Sequence, residues 1–143
     1  MLSGDNGYGM FQLTDPSPTD TQIWNWKLNV DGGKSKINSS ESTAATWWSS
    51  QKAQFNQWNA AHPDDIKPTP INTTEASITF SYAPTPSEKD YQDAIAIKVF
   101  NGAEEHYIAW DNEEPYEEDP RWVWHPTNAS GINYVNRICG TTP

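Results

Sequence analysis

Apolar positions recur at helical spacing through much of this chain, interrupted by short stretches that alternate with polar residues. Ile23, Trp26, Val30, Gly33 and Ile37 follow one another three or four residues apart, the pattern of one helix face. They come after Asp15-Pro16-Ser17-Pro18-Thr19-Asp20, a turn in which Thr19 or Asp20 can accept bonds from the free N–H groups of the next turn. Gly32-Gly33 costs a helix about 1 kcal/mol per glycine relative to alanine, which predicts close packing there or a break. A second helix is predicted over residues 42–60, with Ala44, Trp47, Trp48, Phe55 and Trp58 facing inward, and His62-Pro63 ends it.

Residues 63–75 read as a Pro/Thr loop. Ile78, Phe80 and Tyr82 then alternate with polar residues, which predicts a half-exposed strand closed by Pro84 and Pro86. Ser87 with Asp90 forms a capping-box pair that opens a third helix, whose buried side carries Tyr91, Ala94, Ile95 and Lys98 or Val99. That helix stops at Phe100-Asn101-Gly102-Ala103. Two short strands are expected at residues 107–110 and 122–124, and a last helical segment at 132–139. With no internal repeat or low-complexity tract, the reading is one mainly α domain over residues 1–143 with a few short β-strands.

Composition adds a constraint on how such a core forms. The chain has 143 residues, 35% hydrophobic, yet 13% are aromatic and eight are Trp. It must fold by burying a few large rings rather than many aliphatic side chains. Trp24, Trp26, Trp47, Trp48, Trp58, Trp110, Trp122 and Trp124 exceed the needs of one small core, so some are expected at the surface, where an indole face can stack on a sugar ring. In the consecutive pair Trp47-Trp48 the two rings must point to different sides.

The formal charge is −10, which disfavours nucleic acid and anionic membrane surfaces as partners. The acidic run from Asp111 to Asp119 reads as a solvated loop, since it lacks the alternating ligands and mid-loop glycine of an EF-hand. Cys139 is the only cysteine, and His62, His106 and His125 are widely separated, so neither a metal site nor a cofactor is predicted. No run approaches the ~18 apolar residues of a membrane span. Met1-Leu2-Ser3-Gly4-Asp5 has neither the basic start nor the apolar stretch of an export signal, and the abrupt polar opening reads as a piece of a longer protein.

Four segments in order resemble the goose-type lysozyme and lytic transglycosylase family. Gly7-Tyr8-Gly9-Met10-Phe11-Gln12-Leu13 is similar to that family's G-x-G-L-M-Q-V/I segment, and Asn29-Val30-Asp31-Gly32-Gly33 to the N-I-x-x-G opening of its long helix. Ala96-Ile97-Lys98-Val99-Phe100-Asn101-Gly102-Ala103 resembles A-x-x-x-Y-N-A-G, and Asn133-Tyr134-Val135-Asn136-Arg137-Ile138 resembles the closing x-Y-V-x-x-I/V. Residues 60–90 and 104–130 have no counterpart in the pattern. The resemblance implies a lysozyme-like helical domain with a cleft for glycan strands. It implies that Gln12 lines the cleft beside the scissile bond, with Tyr8 and Met10 shaping its floor. By the same likeness Asn101 helps hold an N-acetyl group, and Tyr134 hydrogen-bonds near the acid. Asp5 and Asp15 resemble the auxiliary carboxylates that hold a water in goose-type enzymes.

Two departures bear on activity. The family's catalytic Glu precedes its G-L-M-Q segment, whereas only six residues precede Gly7 here and none is Glu. Phe100 stands where the family has Tyr, so one hydroxyl near the reacting centre is missing. Glycoside cleavage requires a carboxylic acid held protonated at the leaving oxygen by an apolar setting. Glu41-Ser42 has the family's dipeptide but follows Gln12, and a Glu near a helix start more often complements the helix dipole. Three expectations follow for the acid: it lies upstream in a longer protein, a partner chain supplies it, or the chain binds glycan without cutting it. The leading expectation is a peptidoglycan-directed glycosidase domain that cleaves the MurNAc-GlcNAc bond. The alternatives are a non-catalytic peptidoglycan- or chitin-binding module and a structural domain reusing the fold. Cell-wall substrates place such a protein in the periplasm or extracellular space.

Overall fold

In the computed structural model, residues 17–69, 78–81, 83, 85–101, 107–125 and 129–140 are described. Among them the chain is mainly helical with one small sheet. The helices are α1 (Asp20–Trp24), α2 (Trp26–Ala61), α3 (Glu88–Phe100) and α4 (Ala129–Cys139), and the strands are β1 (Tyr107–Asp111) and β2 (Arg121–His125). The chain divides into two compact units, Met1–Ser40 and Glu41–Pro143.

In the first unit, Thr19 caps α1 as its composition suggests. Its side chain accepts from the Gln22 backbone N–H at 3.3 Å, and the Gln22 side chain accepts from the Thr19 N–H at 2.8 Å. The helix is then broken at Asn25 rather than at the glycine pair. Asn25 has extended backbone angles, and its side-chain oxygen accepts from the N–H groups of Lys27 at 3.1 Å and Leu28 at 3.4 Å. A side chain that substitutes for a backbone acceptor in this way starts a new helix.

Helix α2 therefore runs through Gly32-Gly33, so one helix stands where the spacing suggested two. The buried line in this part of α2 is Asn29, Gly33 and Ser40, while Trp26 and Ile37 are exposed. Of the apolar pattern over residues 23–37 only Gly33 is buried, and the polar Asn29 and Ser40 share its covered line.

The second unit holds the ring-based core. Trp48, Phe55, Tyr91, Ile95, Ile108, Trp110, Trp122, Trp124, Val135 and Cys139 are all buried in one cluster. Within it Phe55 meets Trp110 edge-on at 5.1 Å, and Phe80 meets Tyr91 edge-on at 5.3 Å. These offset and edge contacts are the arrangements that ring quadrupoles favour. Ser87 caps α3 through a reciprocal pair with Asp90, as predicted, and Tyr91, Ala94, Ile95 and Lys98 form its buried stripe.

Strands β1 and β2 pair antiparallel, with Trp110 opposite Trp122 and Ile108 opposite Trp124. The connection between them is the acidic run, in which Glu113, Glu114, Glu117 and Glu118 are all exposed. Among the described residues the outer edge of β1 meets α2 rather than a third strand. The Trp47 indole N–H donates to the Ile108 carbonyl at 2.7 Å, and the buried Gln51 side chain accepts from the Trp110 N–H at 3.0 Å. Residues 47 and 51 are one helical turn apart and residues 108 and 110 share a strand edge, so the two bonds clamp helix to sheet.

Ile78 and Phe80 are buried and Thr79 between them is exposed, which is the alternation the sequence shows. They form no ladder, however. The Ser81 N–H donates to the Cys139 carbonyl at 3.0 Å, and the Thr79 N–H to the Asn136 side chain at 3.4 Å. This segment lies along α4 and satisfies one of its terminal carbonyls, so its partners are a helix end instead of a strand. No helix among the described residues is long and apolar enough to cross a membrane.

Candidate functional site

Asp5, Tyr8, Met10, Gln12 and Asp15 lie outside the described residues, which leaves Asn101 and Tyr134 as the expected sugar-groove residues whose placement is described. Asn101 is the C-cap of α3, where its backbone N–H donates to the Ile97 carbonyl at 3.1 Å. Its side chain is exposed, and the amide makes no hydrogen bond among the described residues. Tyr134 lies within α4 and is half-buried, with a hydroxyl that is likewise unbonded among the described residues. Helices α3 and α4 pack against each other, so both side chains are carried on one packed framework. Phe100, the aromatic before Asn101, is half-buried.

The acid required for glycoside cleavage has no candidate setting among the described carboxylates. Each described Asp and Glu is exposed or only half-buried. Glu41 is exposed, and Glu88 pairs with Lys52 at the start of α3. Asp90 is held below the ordinary aspartate value by the Ser87 hydroxyl and then by the Ser87 backbone N–H, the opposite of what a general acid needs.

A second feature is a furrow of about 380 Å³ on the surface of α2, lined by Ser42, Thr43, Thr46, Trp47 and Ser50. Residues 43, 46, 47 and 50 share one helix face by their spacing. Trp48 next to them is buried in the core, whereas Trp47 is half-buried, packed on the core cluster and also lining the furrow. This is the split that consecutive helix positions impose on Trp47-Trp48. The furrow hydroxyls were not singled out from sequence, although their recurrence around Trp47 at three- and four-residue spacing was there to be read.

The titratable groups of the core have other roles. Lys98 is buried on the inner face of α3, makes no ion pair among the described residues, and is pushed below the ordinary lysine value by burial alone. Cys139 is buried at the end of α4, and its thiol is pushed up to about 11, first by burial and then by the charges of Asp93 and Asp90. Among the described residues no group of three or more His, Cys, Asp or Glu side chains is placed to hold a metal ion.

No protein-family model, curated protein or solved structure matches this chain.

Proposed function

We propose that this chain is a peptidoglycan-directed glycosidase domain of the lysozyme and lytic-transglycosylase type, acting on the MurNAc-GlcNAc linkage. The reading starts from the four ordered segments. The structural observation that carries it furthest is the state of Asn101 and Tyr134. Both polar ends have no hydrogen-bond partner among the described residues while the helices beneath them are packed, which leaves each able to donate or accept toward a ligand. On this reading Asn101 receives an acetamido group at the end of α3, and the Tyr134 hydroxyl bonds beside the reacting centre.

Binding without cleavage is the second reading, and one observation favours it. No described carboxylate sits in the apolar setting that would keep it protonated near neutral pH. A chain that holds glycan through aromatic and amide groups alone would look like this.

Clearing of purified peptidoglycan, followed by turbidity and by chromatography of released muropeptides, separates the two. Cleavage that falls by at least tenfold in Asn101→Ala and Tyr134→Phe supports the glycosidase. Sedimentation with peptidoglycan or chitin without release of products supports the binding module. Neither binding nor cleavage by the natural full-length protein removes both.

A further inference from the structure

We propose that four tryptophans of the second unit form a one-electron path that carries oxidising equivalents out of the core to Trp58 at its edge. The path stands apart from the glycan reading and belongs to the ring core itself. Trp48 stacks on Trp122 with centroids 5.0 Å apart, Trp122 lies 5.6 Å from Trp110, and Trp110 meets Trp58 edge-on at 5.9 Å. Each spacing falls in the ~4.5–7 Å range of contacting aromatic pairs. The series runs from the middle of α2 through β2 and β1 and back to the last turn of α2.

Electron tunnelling between π systems falls off steeply with separation, so an electron passes between neighbouring indoles far more readily than across an equal span of aliphatic side chains. Phe55 touches Trp110 at 5.1 Å and Trp122 at 5.7 Å, but a benzene ring is too hard to oxidise to serve as a step. Along the tryptophan route exposure changes in one direction. Trp48, Trp122 and Trp110 are buried and Trp58 is half-buried, so the missing electron meets solvent first at Trp58.

A radical cation in the core is a buried charge, and burying an unpaired charge is costly. Loss of the indole proton would relieve that cost in place. The Nε1–H groups of Trp48 and Trp110, however, are buried with no acceptor among the described residues. The charge therefore stays on the π system, where it can move. Tyr91, stacked on Trp48 at 6.1 Å, is a poor resting place, because an oxidised phenol gives up its proton and burial here opposes that loss, pushing the pKa up. The Trp58 Nε1–H is not closed off in this way. Lys67 Nζ lies 5.7 Å from the Trp58 ring centroid, but Asp65 at 3.1 Å and Asp119 at 3.4 Å pair with that ammonium and offset its charge. The exposed His62 ring stacks on Trp58 at 4.1 Å and adds a second polarisable surface beside the cation. An oxygenated indole would overfill the packed core, whereas a half-buried ring has room for it.

The test is ultraviolet photoionisation of the intact chain in air-saturated buffer, kept to low conversion and followed by peptide mass spectrometry. An excited core indole ejects one electron, which reduces dioxygen to superoxide. An electron from Trp58 refills the core ring through Trp110 and Trp122. The Trp58 radical cation gives its N–H proton to water, and the neutral radical combines with superoxide and a proton to give N-formylkynurenine, a net addition of one dioxygen. Trp24, which is 88% exposed and has no ring contact among the described residues, is the internal standard. In the wild type the adduct at Trp58 should exceed that at Trp48, Trp110 and Trp122. In Trp110→Phe, which keeps a ring in the packing, the Trp58 adduct should fall severalfold relative to Trp24 while those at Trp48 and Trp122 rise. Trp58→Phe should raise the adducts at Trp110 and Trp122 severalfold. A Trp58 to Trp24 ratio unchanged in a Trp110→Phe chain with native near-ultraviolet circular dichroism overturns the path. Excitation transfer across longer gaps and direct attack from solvent would both give that result. Should Trp110→Phe fail to fold, Trp58→Phe decides, and core adducts at the wild-type level overturn the path.

Discussion

The indoles of Trp48 and Trp122 are stacked with centroids 5.0 Å apart and planes 19° from parallel, joining the middle of α2 to β2. Trp48 also lies nearly parallel to Tyr91 of α3, at 6.1 Å and 4°. One side chain thus ties together three elements of the second unit. Trp48→Ala is expected to cost about 3–5 kcal/mol, a large part of the ~5–15 kcal/mol that such domains have. The melting temperature followed by near-ultraviolet circular dichroism should fall by about 10 °C or more, with Trp48→Phe well between the two. A Trp48→Ala chain melting within a few degrees of wild type would show that the stack is not central to the core.

Cys139 gives a direct probe of the α4 docking. The thiol is 1% exposed, and burial holds it protonated to about pH 11, so the reactive thiolate is scarce under native conditions. Native protein at pH 8 should react with a disulfide reagent at least a hundredfold more slowly than protein unfolded in guanidinium. A native rate close to the unfolded one would mean that α4 leaves its site readily.

The local rules that held in this chain are those carried by a few neighbouring residues. Ser87 with Asp90 is the reciprocal cap that the sequence implies, and Thr19, one of the two capping residues it offers, caps α1 in a reciprocal pair with Gln22. The two short strands expected at residues 107–110 and 122–124 are present as β1 and β2. Three things were hidden. The helix break at Asn25 depends on one side chain bonding two backbone amides, which outweighed the penalty of Gly32-Gly33 seven residues later. Ile78 to Phe80 alternate in burial because they lie on α4, and periodicity cannot tell a helix end from a neighbouring strand. The furrow over Trp47 rests on a bond to Ile108, sixty-one residues away, and no local pattern encodes that.

The Ser87–Asp90 cap predicts a loss of stability in acid. Bonds from the Ser87 hydroxyl at 2.6 Å and its backbone N–H at 2.7 Å favour the ionised carboxylate, so the folded-state pKa lies below the unfolded one. The unfolded chain then binds more protons as pH drops. The contribution is complete above the unfolded value of about 3.9 and is lost as pH falls through the lower folded value. Ser87→Ala should lower stability by about 1 kcal/mol near pH 6, read from urea midpoints. It should also flatten the acid limb of the stability profile. An acid limb identical to wild type would place the loss at other carboxylates.

Lys98 makes the opposite prediction. It is 3% exposed on the inner face of α3, level with Tyr91, Ala94 and Ile95, and burial lowers its pKa with no carboxylate among the described residues to offset the cost. A lysine whose folded pKa is depressed binds fewer protons folded than unfolded. Stability therefore rises with pH between the folded value and the unfolded value of about 10.4, and the full cost is present below that window. Lys98→Met keeps the length of the side chain and removes the charge, so it should stabilise the protein at pH 7 by about 1 kcal/mol. The advantage over wild type should shrink as pH approaches about 10. Comparing the two proteins cancels the lysines that move the other way, such as Lys67, which is raised chiefly by its bond to Asp65, and Lys89, raised chiefly by Asp93. If Lys98→Met is less stable than wild type at pH 7, with the same pH slope, the ammonium is being used and not merely tolerated. That outcome would make the inner face of α3, one turn before Asn101, a place to look for the group it serves.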